Sequence, residues 1–181
     1  MLFRSHVAET TTDFVASCQP SNGSIRDMWF RFVPDCDGLF TIQTCGSAMT
    51  NPILSVMDEC GGNELGCNDN VGSGQAGCTS NQARIQNVLV RASSPVLIRV
   101  AASGNTVPNP SNGILTIIKT DCLPDLNEDG NTDQDDVIYL INVVGGGENP
   151  SGANPDFNCD GNVDQDDVSA LINTIGGGGC P

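Results

Sequence analysis

Along the first two thirds of the chain, apolar positions alternate with polar ones in short runs, and turn-forming clusters break the runs. Met28-Trp29-Phe30-Arg31-Phe32-Val33 comes first, closed by the turn Pro34-Asp35-Cys36-Asp37-Gly38. Leu39-Phe40-Thr41-Ile42-Gln43-Thr44 and Ile53-Leu54-Ser55-Val56-Met57 follow. Beyond a long loop rich in Gly, Asn and Cys come the apolar runs 83–90, 96–100 and 113–118. β-Branched and aromatic residues at a period of two, bounded by Gly, Pro, Asn and Asp, read as strands. At least six such strands, each separated from the next by turn residues, predict a β-sandwich over 18–120. No helical period of useful length precedes residue 133.

After residue 120 the pattern changes. A polar loop, Asp125-Leu126-Asn127-Glu128-Asp129-Gly130-Asn131-Thr132-Asp133-Gln134-Asp135-Asp136, runs into the apolar stretch Val137-Ile138-Tyr139-Leu140-Ile141. The same arrangement returns 31 positions later, from Asp156 to Asp167 and then Val168-Ser169-Ala170-Leu171-Ile172. Each copy carries oxygen-bearing side chains at loop positions 1, 3, 5, 9 and 12, with Gly at position 6. That spacing is the one a short loop needs to wrap a calcium ion, which takes six to eight oxygen ligands. Gly130 and Gly161 supply the sharp turn at the middle. The expected ligands of the first loop are Asp125, Asn127, Asp129, the backbone carbonyl of Asn131, Asp133 (directly or through water) and Asp136. Those of the second are Asp156, Asn158, Asp160, the carbonyl of Asn162, Asp164 and Asp167. Four carboxylates in so short a loop repel one another, and a bound cation relieves the repulsion. Two Ca2+ ions are expected, one per loop. The helices that follow, 133–144 and 164–175, are expected to pack their Val, Leu and Ile faces together.

The motif Asp-x-Asn-x-Asp-Gly-x-x-Asp-x-x-Asp, with the exiting helix Val-x-x-Leu-Ile-Asn, resembles a dockerin over about 121–181. The resemblance implies paired calcium loops, one helix after each, and docking onto a cohesin module. Positions 10 and 11, which carry much of partner recognition in dockerins, are Gln134-Asp135 and Gln165-Asp166. Their identity permits a two-fold symmetric binding face, and a recent duplication that left them unchanged explains it equally well. Dockerins commonly hold small hydroxyl residues there, so the expected partner differs from a standard cohesin.

Charge and cysteine content refine this picture. The net charge is −15, yet residues 121–181 hold 13 acids and no Lys or Arg. The acidity is therefore the ligand set of the loops, and no basic patch exists to neutralise phosphates, so nucleic acid is not an expected partner. Nine cysteines beside a single Lys point to an oxidising, extracellular or cell-surface setting. Cys36 with Cys45, Cys60 with Cys67, and Cys122 with Cys180 are candidate bridges. Cys18, Cys78 and Cys159 then remain, leaving one odd thiol, though sequence does not fix connectivity. Asn22-Gly23-Ser24 is an N-glycosylation acceptor pattern, and Thr10, Thr11 and Thr12 are candidates for O-linked sugar. No apolar run nears 18 residues, so no membrane span is expected. The segment from Met1 to His6 lacks the apolar core of a signal peptide.

The runs Asp-Met-Trp-Phe-Arg-Phe, Gly-Leu-Phe-Thr-Ile-Gln-Thr-Cys, Ile-Leu-Ser-Val-Met-Asp, Cys-Asn-Asp-Asn and Val-Leu-Ile-Arg-Val resemble the bacterial pre-peptidase C-terminal-like domain over about 25–119. That resemblance implies a jelly-roll-like β-sandwich with an accessory role on a secreted protein. It also makes Asp58 and Asn68-Asp69-Asn70 candidates for a further calcium loop, against the plainer reading of polar turns. Residues 1–17 read as a tail, a first strand of the sandwich, or a donor strand for the sheet edge of another subunit.

Enzyme chemistry finds little in this chain. The single His is His6, in the tail, so neither a Ser-His-Asp nor a Cys-His arrangement is available to the sandwich. Most Asp residues of the C-terminal third belong to the loops, and 4% aromatic content offers few rings for stacking sugars. The expectation is a non-enzymatic extracellular protein, mainly β, with a jelly-roll-like sandwich followed by a small α-helical, EF-hand-like calcium module over 121–181. Its expected role is structural or assembling, with copies of itself or a cohesin-like scaffold as partner through strand addition and the calcium module. The alternatives are a carbohydrate- or matrix-binding accessory module, with a glycan as partner, and a fragment of a secreted hydrolase.

Overall fold

The structure, a computed structural model, describes residues 4–6, 14–20, 27–49, 51–58, 62–92, 94–102 and 113–181. Thr10, Thr11, Thr12, Asn22-Gly23-Ser24 and Cys60 lie outside the described residues, so the sugar acceptors and the Cys60 thiol are not placed. The chain is mainly β, with two short helices near the C-terminus. Its strands are β1 (Arg4–His6), β2 (Asp27–Phe32), β3 (Gly38–Gln43), β4 (Pro52–Met57), β5 (Glu64–Asn68), β6 (Arg84–Val90), β7 (Val96–Ala102) and β8 (Thr116–Asp121). The helices are α1 (Gln134–Val144) and α2 (Gln165–Ile175).

One sheet has five strands in the order β1-β2-β7-β4-β5, and the other three in the order β6-β3-β8. The six sequence-expected strands all form, within a few residues of their expected ends. Two more form: β5 is unexpected, and β1 matches the first-strand alternative for the N-terminal stretch. β5 lies inside the Gly/Cys-rich stretch, where Glu64-Leu65-Gly66-Cys67-Asn68 pairs with β4 through Leu54↔Asn68 and Val56↔Gly66. Three residues of the N-terminal stretch form β1, antiparallel to β2 and on the chain's own sheet, with Ser5 opposite Phe30.

The chain divides into two compact units. The first comprises Met1–Phe32, Phe40–Val88 and Ser94–Ile118. Its core is the space between the sheets, where Phe32 of β2 meets Phe40 of β3 edge-on at 5.2 Å. Ile42, Leu54, Val56, Ile98 and Val100 are buried there. Close approach of the layers explains Gly66: a Cβ at that position would sit 2.7 Å from Ile85 Cγ2 on the facing sheet.

All six residues of β4 are buried, which a strand with one solvated face would not show. The register explains it. Asp27, Trp29, Ile53, Ser55, Cys67, Arg99 and Ala101 share the outer face of the five-stranded sheet. Part of the 14–19 segment lies over that face. Phe14 packs edge-on against Trp29 at 5.8 Å, the Arg99 guanidinium sits over both rings, and Cys18 bridges to Cys67. Arg99, only 1% exposed, donates through Nε to Asp27 at 2.6 Å and through Nη1 to Gln19 at 3.1 Å. A charge this deeply buried persists only because it is paired and hydrogen-bonded.

The disulfides correct the sequence expectation in two of three places. Cys36 pairs with Cys159 and not with Cys45, which bonds Cys78 instead. Cys67 pairs with Cys18 and not with Cys60. Only Cys122–Cys180 forms as expected. Local spacing suggests loop closures, whereas tertiary packing brings sequence-distant cysteines together, so Cys159 is bonded and not the odd thiol.

Candidate metal centre

The second compact unit comprises Lys119–Pro181 with two short segments from the β-rich part, Val33–Leu39 and Leu89–Ser93. Its architecture starts from the helix caps. Asp133 caps α1: its side chain accepts from Asp135 N, while the N3 residue Asp136 accepts from Asp133 N at 2.9 Å. Asp164 and Asp167 repeat this capping box on α2, with Asp164 N donating to Asp167 at 2.8 Å. Positions 9 and 12 of each loop, both expected ion ligands, are thus the two halves of a helix N-cap.

The position-12 carboxylates are the pivots of the loops. Asp136 and Asp167 are both fully buried. Asp136 Oδ1 accepts from Leu126 N at 2.8 Å and Asn127 N at 3.1 Å, folding the start of the loop back over its end. Asp167 Oδ1 accepts from Asn158 N at 3.0 Å. Within each loop the remaining side chains bend the backbone through short-range bonds. Asp129 N donates to Asn127 Oδ1 and Asn131 N to Asp129 Oδ1; Asp160 N donates to Asn158 Oδ1 and Asn162 N to Asp160 Oδ1. Gly130 N donates to Asp125 at 3.1 Å and Gly161 N to Asp156 at 3.0 Å. Both glycines hold φ near +90°, a conformation costly for any residue with a Cβ.

Electrostatics follow from this geometry. The backbone N–H of Asn131, helped by the side-chain amides of Asn127 and Asn131, holds the Asp129 carboxyl below its ordinary value. Asn162 N–H, with the amides of Asn158 and Asn162, does the same for Asp160. Both carboxyls are thereby biased to the ionised form a cation needs. Asp125 Oδ1 is buried and has no hydrogen-bond partner, an acceptor that a cation would satisfy. The donor set is wholly oxygen, as calcium prefers. The loop carboxylates are not drawn into one tight group, however. Among the described residues, the trio of potential ligands within 4.8 Å of one another is Asp121, Cys122 and Cys180, and the two cysteines are spent in a disulfide.

A small shared core joins the loops to the helices. Leu126 and Phe157, at position 2 of each loop, are buried with Leu140, Val168, Leu171, Cys122 and Ala153. The expected packing of the helix faces is partly corrected. Val137, Val144 and Ile175 flank the core, but Ile138, Ile141 and Ile172 face outward, 56%, 53% and 53% exposed. Ile141 and Ile172 occupy equivalent places in the two copies. The copies differ at Tyr139, whose hydroxyl is held by Asn149 and Ser151, because its counterpart is Ala170.

Sequence reasoning missed how position 4 of each loop is anchored. Glu128 and Cys159 both adopt left-handed backbone, with φ of 60° and 65°. Glu128 forms an ion pair with Arg91, and Cys159 forms the disulfide with Cys36. Between these anchors Asp37 accepts from Arg91 Nη1, Ala92 N and Asn154 N, at 3.2, 2.8 and 3.2 Å. Nothing in the repeat signals these contacts, since each partner lies outside it. Asp58, a candidate for a further calcium loop, instead accepts from Asn63 N and Nδ2 at 2.7 and 3.0 Å, as a polar turn does. Asn68 and Asp69 lie at the opposite end of the β4–β5 hairpin from Asp58, so the candidate ligands are not brought together, and burial pushes the Asp69 carboxyl up.

No described helix is long and apolar enough to cross a membrane. No curated protein and no solved structure matches the chain significantly. Family models do match. Residues 123–176 match the type I dockerin domain, a calcium-binding class, and residues 2–105 match a galactose binding domain-like family associated with the T9SS. Both are non-catalytic module types, and their order agrees with a β-sandwich followed by a dockerin module. The chain belongs to the T9SS-associated galactose binding domain-like family, and it carries a dockerin type I domain after the sandwich.

Proposed function

We propose that this chain is a non-enzymatic, extracellular accessory protein whose dockerin module folds around two calcium ions and docks onto a protein partner. Asp125, Asn127, Asp129, Asp133, Asp136 and the Asn131 carbonyl hold one ion. Asp156, Asn158, Asp160, Asp164, Asp167 and the Asn162 carbonyl hold the other. The observation that carries this reading is the buried, partnerless Asp125 Oδ1 within a loop whose other polar groups are already turned by short-range hydrogen bonds. Calcium supplies the positive charge that lets the remaining carboxylates close in, so its binding free energy becomes folding free energy of the module.

The docking surface draws on the exposed Ile138 and Ile141 of α1 and Ile172 of α2, with Gln134-Asp135 and Gln165-Asp166 in the first turns of the same helices. Exposed apolar side chains beside acidic first turns suit a cohesin-like scaffold whose facing rim carries basic or amide groups. The other occupant is a second copy of this chain, with β1 exchanged between copies as a donor strand. The sandwich then presents cargo recognition, a glycan or matrix surface among its candidates. Light scattering of the full chain across a concentration series, in calcium and in chelator, tests the reading. Docking to a separate partner requires a monomer in calcium at every concentration. A mass that grows with concentration, and falls in an Ile141→Asp/Ile172→Asp variant, assigns the face to copies of the chain. A module equally helical in calcium and in chelator, with no calcium uptake, would overturn the reading.

A further inference from the structure

Of the four disulfides among the described residues, Cys36–Cys159 alone has one sulfur inside a candidate ion loop, between Asn158 and Asp160. It fixes the left-handed residue at position 4 of the second loop to the 33–39 segment. In the first loop the same position is held only by the Glu128–Arg91 ion pair, which survives reduction. The surroundings of the sulfurs also differ. Lys119 Nζ lies 3.4 Å from Cys36 Sγ and 3.5 Å from Cys159 Sγ. The other disulfide of this unit, Cys122–Cys180, instead sets Cys180 Sγ 3.1 Å from the Asp121 carboxylate. A cation beside a sulfur favours the departing thiolate and speeds exchange, whereas a carboxylate opposes it.

Resting on the calcium reading above, we propose that Cys36–Cys159 is a redox control on the second loop. A dithiol attacks one sulfur of the bond, the other leaves as a thiolate beside Lys119, and the second thiol of the reductant resolves the mixed disulfide. Two electrons pass to the protein, the reductant becomes a disulfide, and Cys36 and Cys159 end as thiols. Loop two then loses the tether that presets position 4, and its calcium affinity falls. By reciprocity, calcium makes this bond harder to reduce by the same factor.

The test uses the full chain. It is equilibrated with graded dithiothreitol in calcium or in chelator, then alkylated and mapped by mass spectrometry. Cys36 and Cys159 should be the first thiols of the unit to appear, and calcium should raise the reductant they require by about 10- to 100-fold, the range typical of groups that orient metal ligands. In a Cys36→Ser/Cys159→Ser variant, the Gly161 amide resonance should titrate at that much higher calcium, with Gly130 within about twofold of the unaltered chain. Reduction indifferent to calcium, or Gly161 titrating unchanged, would overturn the proposal. If the variant does not fold, the reduction experiment on the unaltered chain decides alone. Absence of calcium binding at both glycines would instead defeat the functional reading on which it rests.

Discussion

Replacing Asp136 by Asn separates the structural duty of a loop carboxylate from its ion-binding duty. Asp136 accepts backbone N–H bonds from Leu126, Asn127 and Asp133 from a fully buried position. The Asn side chain keeps one oxygen, enough for Leu126 and Asn127, but turns an amide N–H toward the N–H of Asp133. The Asp133 N–H loses its acceptor and meets a second donor, a mismatch of about 1–3 kcal/mol. In calcium the variant also loses a charged ligand. An ion at a hundred times its dissociation constant stabilises the folded module by about 2.7 kcal/mol, and most of that contribution disappears for this loop. The expected loss is therefore about 1–3 kcal/mol in chelator and about 4–6 kcal/mol in calcium. Urea unfolding followed at 222 nm reads this directly, because both helices of the described chain belong to the module. An equal loss in the two media would refute the reasoning, for Asp136 would then be a helix cap and nothing more.

Three further outcomes are expected. Leu171→Ala, at a fully buried core position, should cost the module about 2–5 kcal/mol in urea unfolding, whereas Ile172→Ala beside it should stay within about 0.5 kcal/mol and weaken partner capture instead. Arg99→Met removes the buried ion-pair partner of the Asp27 carboxylate and should destabilise the sandwich by about 3–5 kcal/mol, seen as an earlier urea midpoint in Trp29 fluorescence. In chelator, the folded-state values of Asp129 and Asp160 lie below the ordinary 3.8, so the stability they contribute is present above that pH and is lost as pH falls through the depressed values. The 222 nm urea midpoint should accordingly drop on acidification below about pH 4, and the drop should shrink in Asp129→Asn/Asp160→Asn.

Much of this organisation is legible in the sequence because it rests on local rules. The paired loops, the helix starts and the six strands follow from spacing, capping and period-two alternation, each confined to a dozen residues or fewer. What escaped notice depends on sequence-distant contacts. β5 contains Gly66 and Cys67 and has weak strand propensity, yet it pairs because β4 offers an open edge. Arg99 sits in an otherwise apolar strand, and only the Phe14, Trp29 and Asp27 environment explains it. The outward turn of Ile138 and Ile141 is another case, since helical periodicity marks apolar residues without saying which of two stripes is buried. The bond from Cys36 to Cys159 spans 123 residues, beyond any spacing rule.

Folding of the docking module requires calcium uptake by the paired loops. Calorimetric titration of calcium into the chelator-treated full chain, followed in parallel at 222 nm, measures it. Two ions per chain with a gain in helix as they bind is the expected result. No uptake, or uptake that leaves the helices unchanged, would contradict the claim that these loops fold the docking module around calcium.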